Sequence, residues 1–250
     1  MINELKDFTY SAYIECLKLL KQRYRIGPFC EVSNKDEPFL ILRHDVDASL
    51  EAALEMAKIE NSLDTRSTYF VLFSHKLYNL LEKDNLATLK EISKLSHEIG
   101  LHYNVEVYES YGQDLKKTLK NEIKLLERLL NMRVFSIARH NVSITEGEDP
   151  FRDIKGYINA YDPELCRNYV SDSCRAWYLE DLSQLLNSNY KKVQLLIHPI
   201  LWTKDVCERD TVLERLFQDV DAKNRDYKLK WLELLHSNPK VKQYDSLIKK

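Results

Sequence analysis

The chain has 250 residues, of which 44% are hydrophobic, and its 37 basic and 39 acidic side chains leave a formal net charge of -2. That length accommodates one α/β domain with a sizeable core, and the near-balanced charge excludes the broad positive surface that nucleic acid or anionic lipid would need. Five scattered cysteines, Cys16, Cys30, Cys166, Cys174 and Cys207, form no C-x-x-C pair, which excludes a disulfide framework or a zinc ribbon and leaves reduced thiols.

The N-terminal stretch MINELKDFTYSAY has no cationic segment followed by an apolar one, and no window is apolar enough to span a bilayer, so a cytoplasmic protein without a membrane span is expected. A helical pattern over about 8–24 comes first. The strand candidate FLILRHD (39–45) is followed by a helix over about 48–61, STYFVLF (67–73) by one over about 84–96, and EIGLHY (98–103) by one over about 113–131. VFSIAR (134–139), NYVSDS (168–173), a helix over about 178–187 and VQLLIH (193–198) complete the series. In the C-terminal region, YKLKWLELL has helical spacing and is expected to form a packed helix. Glycine and proline number only 5 and 6, and no repeat or low-complexity stretch marks a linker. A single domain over 1–250 is therefore expected, with helical segments over about 1–30 and 205–250. Strands alternating with helices, the strands nearly continuous in apolar residues, indicate a parallel sheet covered on both faces; barrel and open sheet both remain possible on this ground.

The first long strand ends in LILRHDVD. Alternation along a strand places Arg43, Asp45 and Asp47 on one face and His44 and Val46 on the other. Two carboxylates on one face repel unless a positive group lies between them, and a metal ion is the economical candidate. Asp45, Asp47, His102, Arg139, His140, Asp172 and His198 all fall at C-terminal strand ends, where α/β folds build their sites. Carboxylates, imidazoles and an arginine on one rim are the inventory of metal-assisted hydrolysis.

Taken together and in order, the motifs RHDVD, HEIGLHYN, SIARHN, YVSDSCRAW and LLIHP resemble those of the polysaccharide deacetylases (NodB homology, carbohydrate esterase family four), in the HDVD-type branch associated with surface-polysaccharide biosynthesis. The similarity runs over about 38–203. It implies a distorted (β/α) barrel of about seven parallel strands. It also implies Asp45 as catalytic base, Asp47 and His102 as metal ligands, Arg139 or its neighbour His140 steadying the base, and His198 as general acid supported by Asp172. It further implies Trp177 beside Asp172 as support for that acid. Trp177, Trp202 and Arg175 are the substrate-binding candidates, since an aromatic at a strand-end rim can stack on a sugar face, with a plain core role for the two tryptophans as the other reading. The pattern departs in one place: the family's second histidine, four residues after the first, is here Glu106 with Asn104 between. His140 and Glu106 rank above Asn104 as the third ligand, because neutral amides bind transition metals poorly.

The resemblance implies one divalent ion, zinc first, with cobalt, nickel or iron as alternatives, and a hydrolase that removes an N-acetyl group from an amino sugar. With no export signal, a nucleotide- or lipid-linked sugar in capsule or O-antigen synthesis is the expected substrate. Another amide hydrolase on the same scaffold and a catalytically silent carbohydrate-binding protein are the alternatives. A two-carboxylate glycosidase fits poorly, since acids two residues apart on one strand cannot flank a bond from opposite sides. Structural readings stand beside several of these residues. Asp47 is also a plausible helix cap before ASLEAAL, and Asp172 a turn residue bonded to backbone amides. His44 is expected to be packed and hydrogen-bonded, His97 structural, and His75 and His236 on the surface.

Overall fold

The computed structural model describes residues 7–32, 37–73, 75–112, 114–140, 149–173 and 179–239. Among these residues there are eight strands: β1 (Arg25–Gly27), β2 (Phe39–Val46), β3 (Thr68–Val71), β4 (Glu98–Tyr103), β5 (Ser136–Arg139), β6 (Ile158–Asn159), β7 (Tyr169–Ser171) and β8 (Lys192–Ile197). Seven run parallel in the order β6-β5-β4-β3-β2-β8-β7, and β1 pairs in parallel with the start of β2. With helices around them they make a curled half-barrel, the distorted (β/α) barrel implied by the motifs; β6 and β7 are its two edges.

The central strand β2 is buried at all eight positions. Neighbours on both flanks and helices on its rear face account for its unbroken apolar start, as both faces must be covered. Helix α2 (Leu50–Ser62) follows, capped by Ser49, whose hydroxyl accepts from the Ala52 amide at 3.1 Å. Asp47 is thus not the cap. Helices α1 (Tyr10–Lys21) and α3 (Lys83–Lys94) flank it in sequence, and α5 (Leu115–Leu130) buries Leu119, Ile123 and Leu126, one stripe at helical spacing. Burying three such side chains contributes roughly 1.5–3 kcal/mol each. Asn131 ends α5 in the left-handed conformation at φ 52°.

In β4, Gly100 meets the Phe70 ring so closely that a Cβ there would lie 2.3 Å from it. No other residue fits at this point in the strand, two positions before His102.

Three short elements escaped the sequence pattern: β1, β6 and α4 (Val105–Ser110), the last capped by the Asn104 side chain. With two to six residues each, they are too short to show a period. Helix α6 (Leu179–Asn187) is where expected.

By compactness the chain falls into two units, Met1–Val206 and Cys207–Lys250. The second contains one long helix, α7 (Arg209–Ser237). The stretch YKLKWLELL lies within it, but the expectation of a packed helix is not met: Tyr227 is 64% exposed and Trp231 48%. Helical spacing specifies a stripe and leaves open what covers it. Among the described residues no helix is long and apolar enough to cross a membrane, and Cys16, Cys30, Cys166 and Cys207 are free thiols.

Candidate metal and catalytic site

Parallel register brings the C-terminal ends of β2, β4, β5 and β8 to one rim. Asp47 immediately follows β2, His102 lies in β4 opposite Ala138 of β5, and His140 immediately follows β5. Three atoms converge there: Asp47 Oδ1 is 3.3 Å from His102 Nε2 and 3.4 Å from His140 Nδ1, and the two ring nitrogens are 3.2 Å apart. His102 Nδ1 donates to the Ala138 carbonyl at 2.9 Å. Because that oxygen can only accept, the ring proton sits on Nδ1 and the Nε2 lone pair faces the cluster.

The donor set fits a divalent ion on two independent grounds. Asp47 Oδ1 is buried yet makes no hydrogen bond, an arrangement that costs stability unless something else occupies its lone pairs. A tetrahedral zinc with bonds of about 2.05 Å sets its ligands about 3.3 Å apart, which matches the observed triangle. An aspartate with two imidazoles suits zinc or another first-row ion better than calcium or magnesium. Among the described residues, Asp47, His102 and His140 form the one group of this kind, with ligand atoms all within 4.8 Å.

Asp45 lies beside the triangle, its Oδ2 3.6 Å from His102 Nε2. Arg43, two residues back on the same face, grips both of its oxygens, Nε to Oδ1 at 2.8 Å and Nη2 to Oδ2 at 2.7 Å. This fork is fully buried, and the guanidinium is itself fixed by Gln194 Oε1 at 3.1 Å, by the Tyr161 hydroxyl at 2.9 Å and by the Tyr161 ring beneath it. Burial works to raise the Asp45 carboxyl, but Arg43 and then His102 hold it below the ordinary range. For Asp47, burial is likewise overcome by His102 and His140, and the carboxyl stays well below its usual value.

Across the rim, His198 follows β8. Its Nδ1 lies 2.6 Å from Asp172 Oδ1, and its Nε2 is 3.8 Å from Asp47 Oδ2. Asp172 is fully buried and also accepts from the His198 backbone amide and from Trp202 Nε1 at 2.8 Å. Burial tends to lower the imidazole, but Asp172, then Asp45 and Asp47, raise it to about 9. The ring is therefore cationic at neutral pH in the metal-free protein, with Nε2–H directed toward the cluster.

The remaining expected residues fall as follows. His140, rather than Glu106, joins the cluster: Glu106 is exposed in the first turn of α4, which Asn104 caps. Arg139 is buried at the end of β5, in register with Tyr103; the guanidinium paired with Asp45 is that of Arg43. Trp202 is only 2% exposed, packed against Phe8 and Tyr13, so its face is closed to a sugar and its N–H serves Asp172. Trp177 and Arg175 lie outside the described residues.

His44 is packed, as expected, bonded to Glu60 at 2.6 Å. His97 is structural: its Nδ1 accepts from the Ser67 amide and its Nε2 donates to Ala57 O. The expectation that His75 is a surface residue needs correction. It is half-buried, its ring 5.9 Å from that of His140 and edge-on to it, in a loop whose Tyr78 hydroxyl donates to Val46 O just before Asp47. A polar sequence context hid it, because the fold back toward the rim is tertiary. Arg43 was readable as sharing a face with Asp45, but the i, i+2 fork needed a side-chain conformation that alternation alone does not specify.

No family model matches the chain, and no curated protein matches it. Among solved structures it is similar to a carbohydrate esterase family four pseudoenzyme from Bacillus anthracis, at 19% identity over 74% of this chain and 62% of that one, with a TM-score of 0.44. The chain thus spans about three fifths of that protein's length. It is also similar to the peptidoglycan deacetylase PdaC from Bacillus subtilis (15% identity, 80% of this chain and 99% of that one, TM-score 0.44). A third similar structure is the chitin deacetylase of Colletotrichum lindemuthianum (13% identity, 72% and 81%, TM-score 0.42).

Proposed function

We propose that this chain is a metal-dependent hydrolase that removes an N-acyl group, acetyl in the first instance, from an amino sugar. The observation that carries the reaction type is the unsatisfied, buried Asp47 Oδ1 facing two imidazole nitrogens, with a held carboxylate on one side and a held imidazole on the other. Asp47, His102 and His140 would hold the ion. When bound there, a divalent ion polarises a carbonyl and lowers the pKa of water toward ~7.

The protein's own groups account for the proton movements. Asp45 accepts a proton from the water that attacks the acyl carbon, and the Arg43 fork keeps the carboxylate aimed at that water. As the C–N bond breaks, the amine is a poor leaving group until it is protonated, and His198 Nε2–H supplies that proton. Asp172 fixes the tautomer by taking Nδ1–H. Acetate and a free amine are the products.

The five ordered motifs support the sugar part of this reading and the assignment to the polysaccharide deacetylases. His140 supports catalysis over a silent binding role, because it supplies the third ligand missing at Glu106. A nucleotide- or lipid-linked amino sugar of surface-polysaccharide synthesis, handled in the cytoplasm, is the substrate class proposed, and zinc the ion.

The test is acetate release over a panel of nucleotide-linked N-acetylamino sugars by protein loaded with one equivalent of zinc. His198→Ala is expected to lose most of that activity and less of the hydrolysis of an activated aryl acetate, whose leaving group needs no proton. Equal losses on both substrates would remove His198 from the role of acid.

A further inference from the structure

Helix α7 carries a second pattern that the proposed site does not use. From Leu213 the apolar positions advance by four, then three, through Phe217 and Val220, and resume at Tyr227, Trp231 and Leu234 after Asn224. That is an uninterrupted a/d series over three heptads with one polar residue, Asn224, at an a position. The five larger apolar members are solvent-exposed, between 44% for Leu213 and 64% for Tyr227.

We propose that this seam is a dimerisation surface and that its occupant is α7 of a second copy of this chain, packed antiparallel. Three observations select that occupant. The helix holds six basic and six acidic side chains in its 29 residues, so it lacks the cationic excess with which an interfacial helix binds an anionic membrane or a polybasic arm binds nucleic acid. Its charges favour one direction of pairing. Antiparallel pairing about the midpoint of Asn224 and Tyr227 brings Asp221 of each copy beside Lys228 of the other on one edge, twice per dimer, and Lys223 beside Lys230 on the other edge, where Asp226 of the same helix already pairs with Lys230 at 2.7 Å. Parallel pairing would set Lys223 against Lys228 with no opposite-charge pair to offset it.

The same antiparallel register places Phe217 against Leu234 and Val220 against Trp231, matching a bulky residue with a smaller one in each layer, and puts the Asn224 amide beside the Tyr227 hydroxyl. The area is sufficient. With aromatic side chains offering about 150–250 Å² each and roughly half of that exposed here, the seam removes about 1,000 Å² over two copies, the lower bound for a specific interface.

Sedimentation equilibrium of the full chain tests this. The wild type is expected to dimerise reversibly at concentrations from about 1 μM upward, and Trp231→Glu to raise the dissociation constant by at least about tenfold. Leu229→Glu, at an exposed position off the seam, is expected to leave it unchanged. Asp221→Lys should weaken association a few-fold, and adding Lys228→Asp should restore it. Circular dichroism of each variant, with metal binding at the rim, keeps loss of fold separate from loss of association.

A wild type that stays monomeric, its seam covered by its own chain, would overturn the proposal. A folded Trp231→Glu that dimerises as the wild type does would also overturn it. So would Leu229→Glu weakening the dimer as much as Trp231→Glu, or a dimer that the double charge swap fails to restore.

Discussion

The two faces of β2 carry two buried ionic knots with opposite bookkeeping of hydrogen bonds. Behind the strand, Glu60 is fully buried and both of its oxygens are saturated. Tyr13 and His44 meet Oε1 at 2.5 and 2.6 Å, and Ser67 and Tyr69 donate to Oε2 at 2.6 and 3.1 Å. Burial works to raise this carboxyl, but His44 and its other partners lower it to about 2. In front, Asp47 Oδ1 is buried and accepts nothing. The rear knot's one orphan is the single ring nitrogen His44 Nδ1, which joins no group of converging ligand atoms among the described residues. A satisfied knot locks the strand to α2; an unsatisfied one on the opposite face is where a ligand belongs.

The largest expected effect separates the faces directly. Asp47→Ala should abolish metal binding and with it turnover, and at neutral pH should also remove from the metal-free fold the stabilisation that His102 and His140 give the depressed Asp47 carboxyl. Equilibrium dialysis with zinc and urea unfolding of the metal-free protein check the two halves. Next, Asp45→Asn should keep the metal and lose roughly a hundredfold or more in turnover, the scale of removing a proton-transfer group. Equal metal loss in the Asp45 and Asp47 variants would erase the division of roles between them.

On the rear face the readout is stability. Glu60→Ala strands His44 in the core and should cost about 3–5 kcal/mol by urea denaturation, as expected for breaking a buried pair, with metal stoichiometry unchanged in the protein that remains folded. The pH dependence follows with a definite sign. Because the folded pKa of Glu60 is depressed, its contribution is complete above the unfolded value near ~4.3 and is lost as pH falls toward about 2. Glu60→Gln should flatten the acid limb of the stability profile.

The smallest effect is a displaced titration. His198 in the metal-free protein should titrate near pH 9 by NMR, and Asp172→Asn should bring it down toward the ordinary histidine value near ~6.5. Since its folded pKa is raised, its stabilising contribution is present below that ordinary value and is lost as pH rises toward 9.

Much of this was legible in the sequence because the information is local. Alternation along LILRHDVD divides Arg43, Asp45 and Asp47 from His44, and the structure keeps that division to the atom. The six strands read from the sequence, β2, β3, β4, β5, β7 and β8, lie close to where their apolar runs place them. What stayed hidden depends on contacts far apart in the chain. Whether His140 or Glu106 completes the triangle is decided by which strand end reaches Asp47. Trp202 is closed off by packing against Phe8 and Tyr13 from the other end of the chain. His75 is brought to His140 by a loop, and a fork such as Arg43 on Asp45 needs a side-chain conformation as well as a face.

The most direct test of the central claim, that Asp47, His102 and His140 form a metal centre, is a cobalt titration followed by visible absorption, which reads stoichiometry and coordination without needing a substrate. The account requires one Co²⁺ per chain with the intense bands of a four-coordinate site, absent in Asp47→Ala and altered in His140→Ala. A titration with no bands, or one whose bands survive in Asp47→Ala, would contradict it.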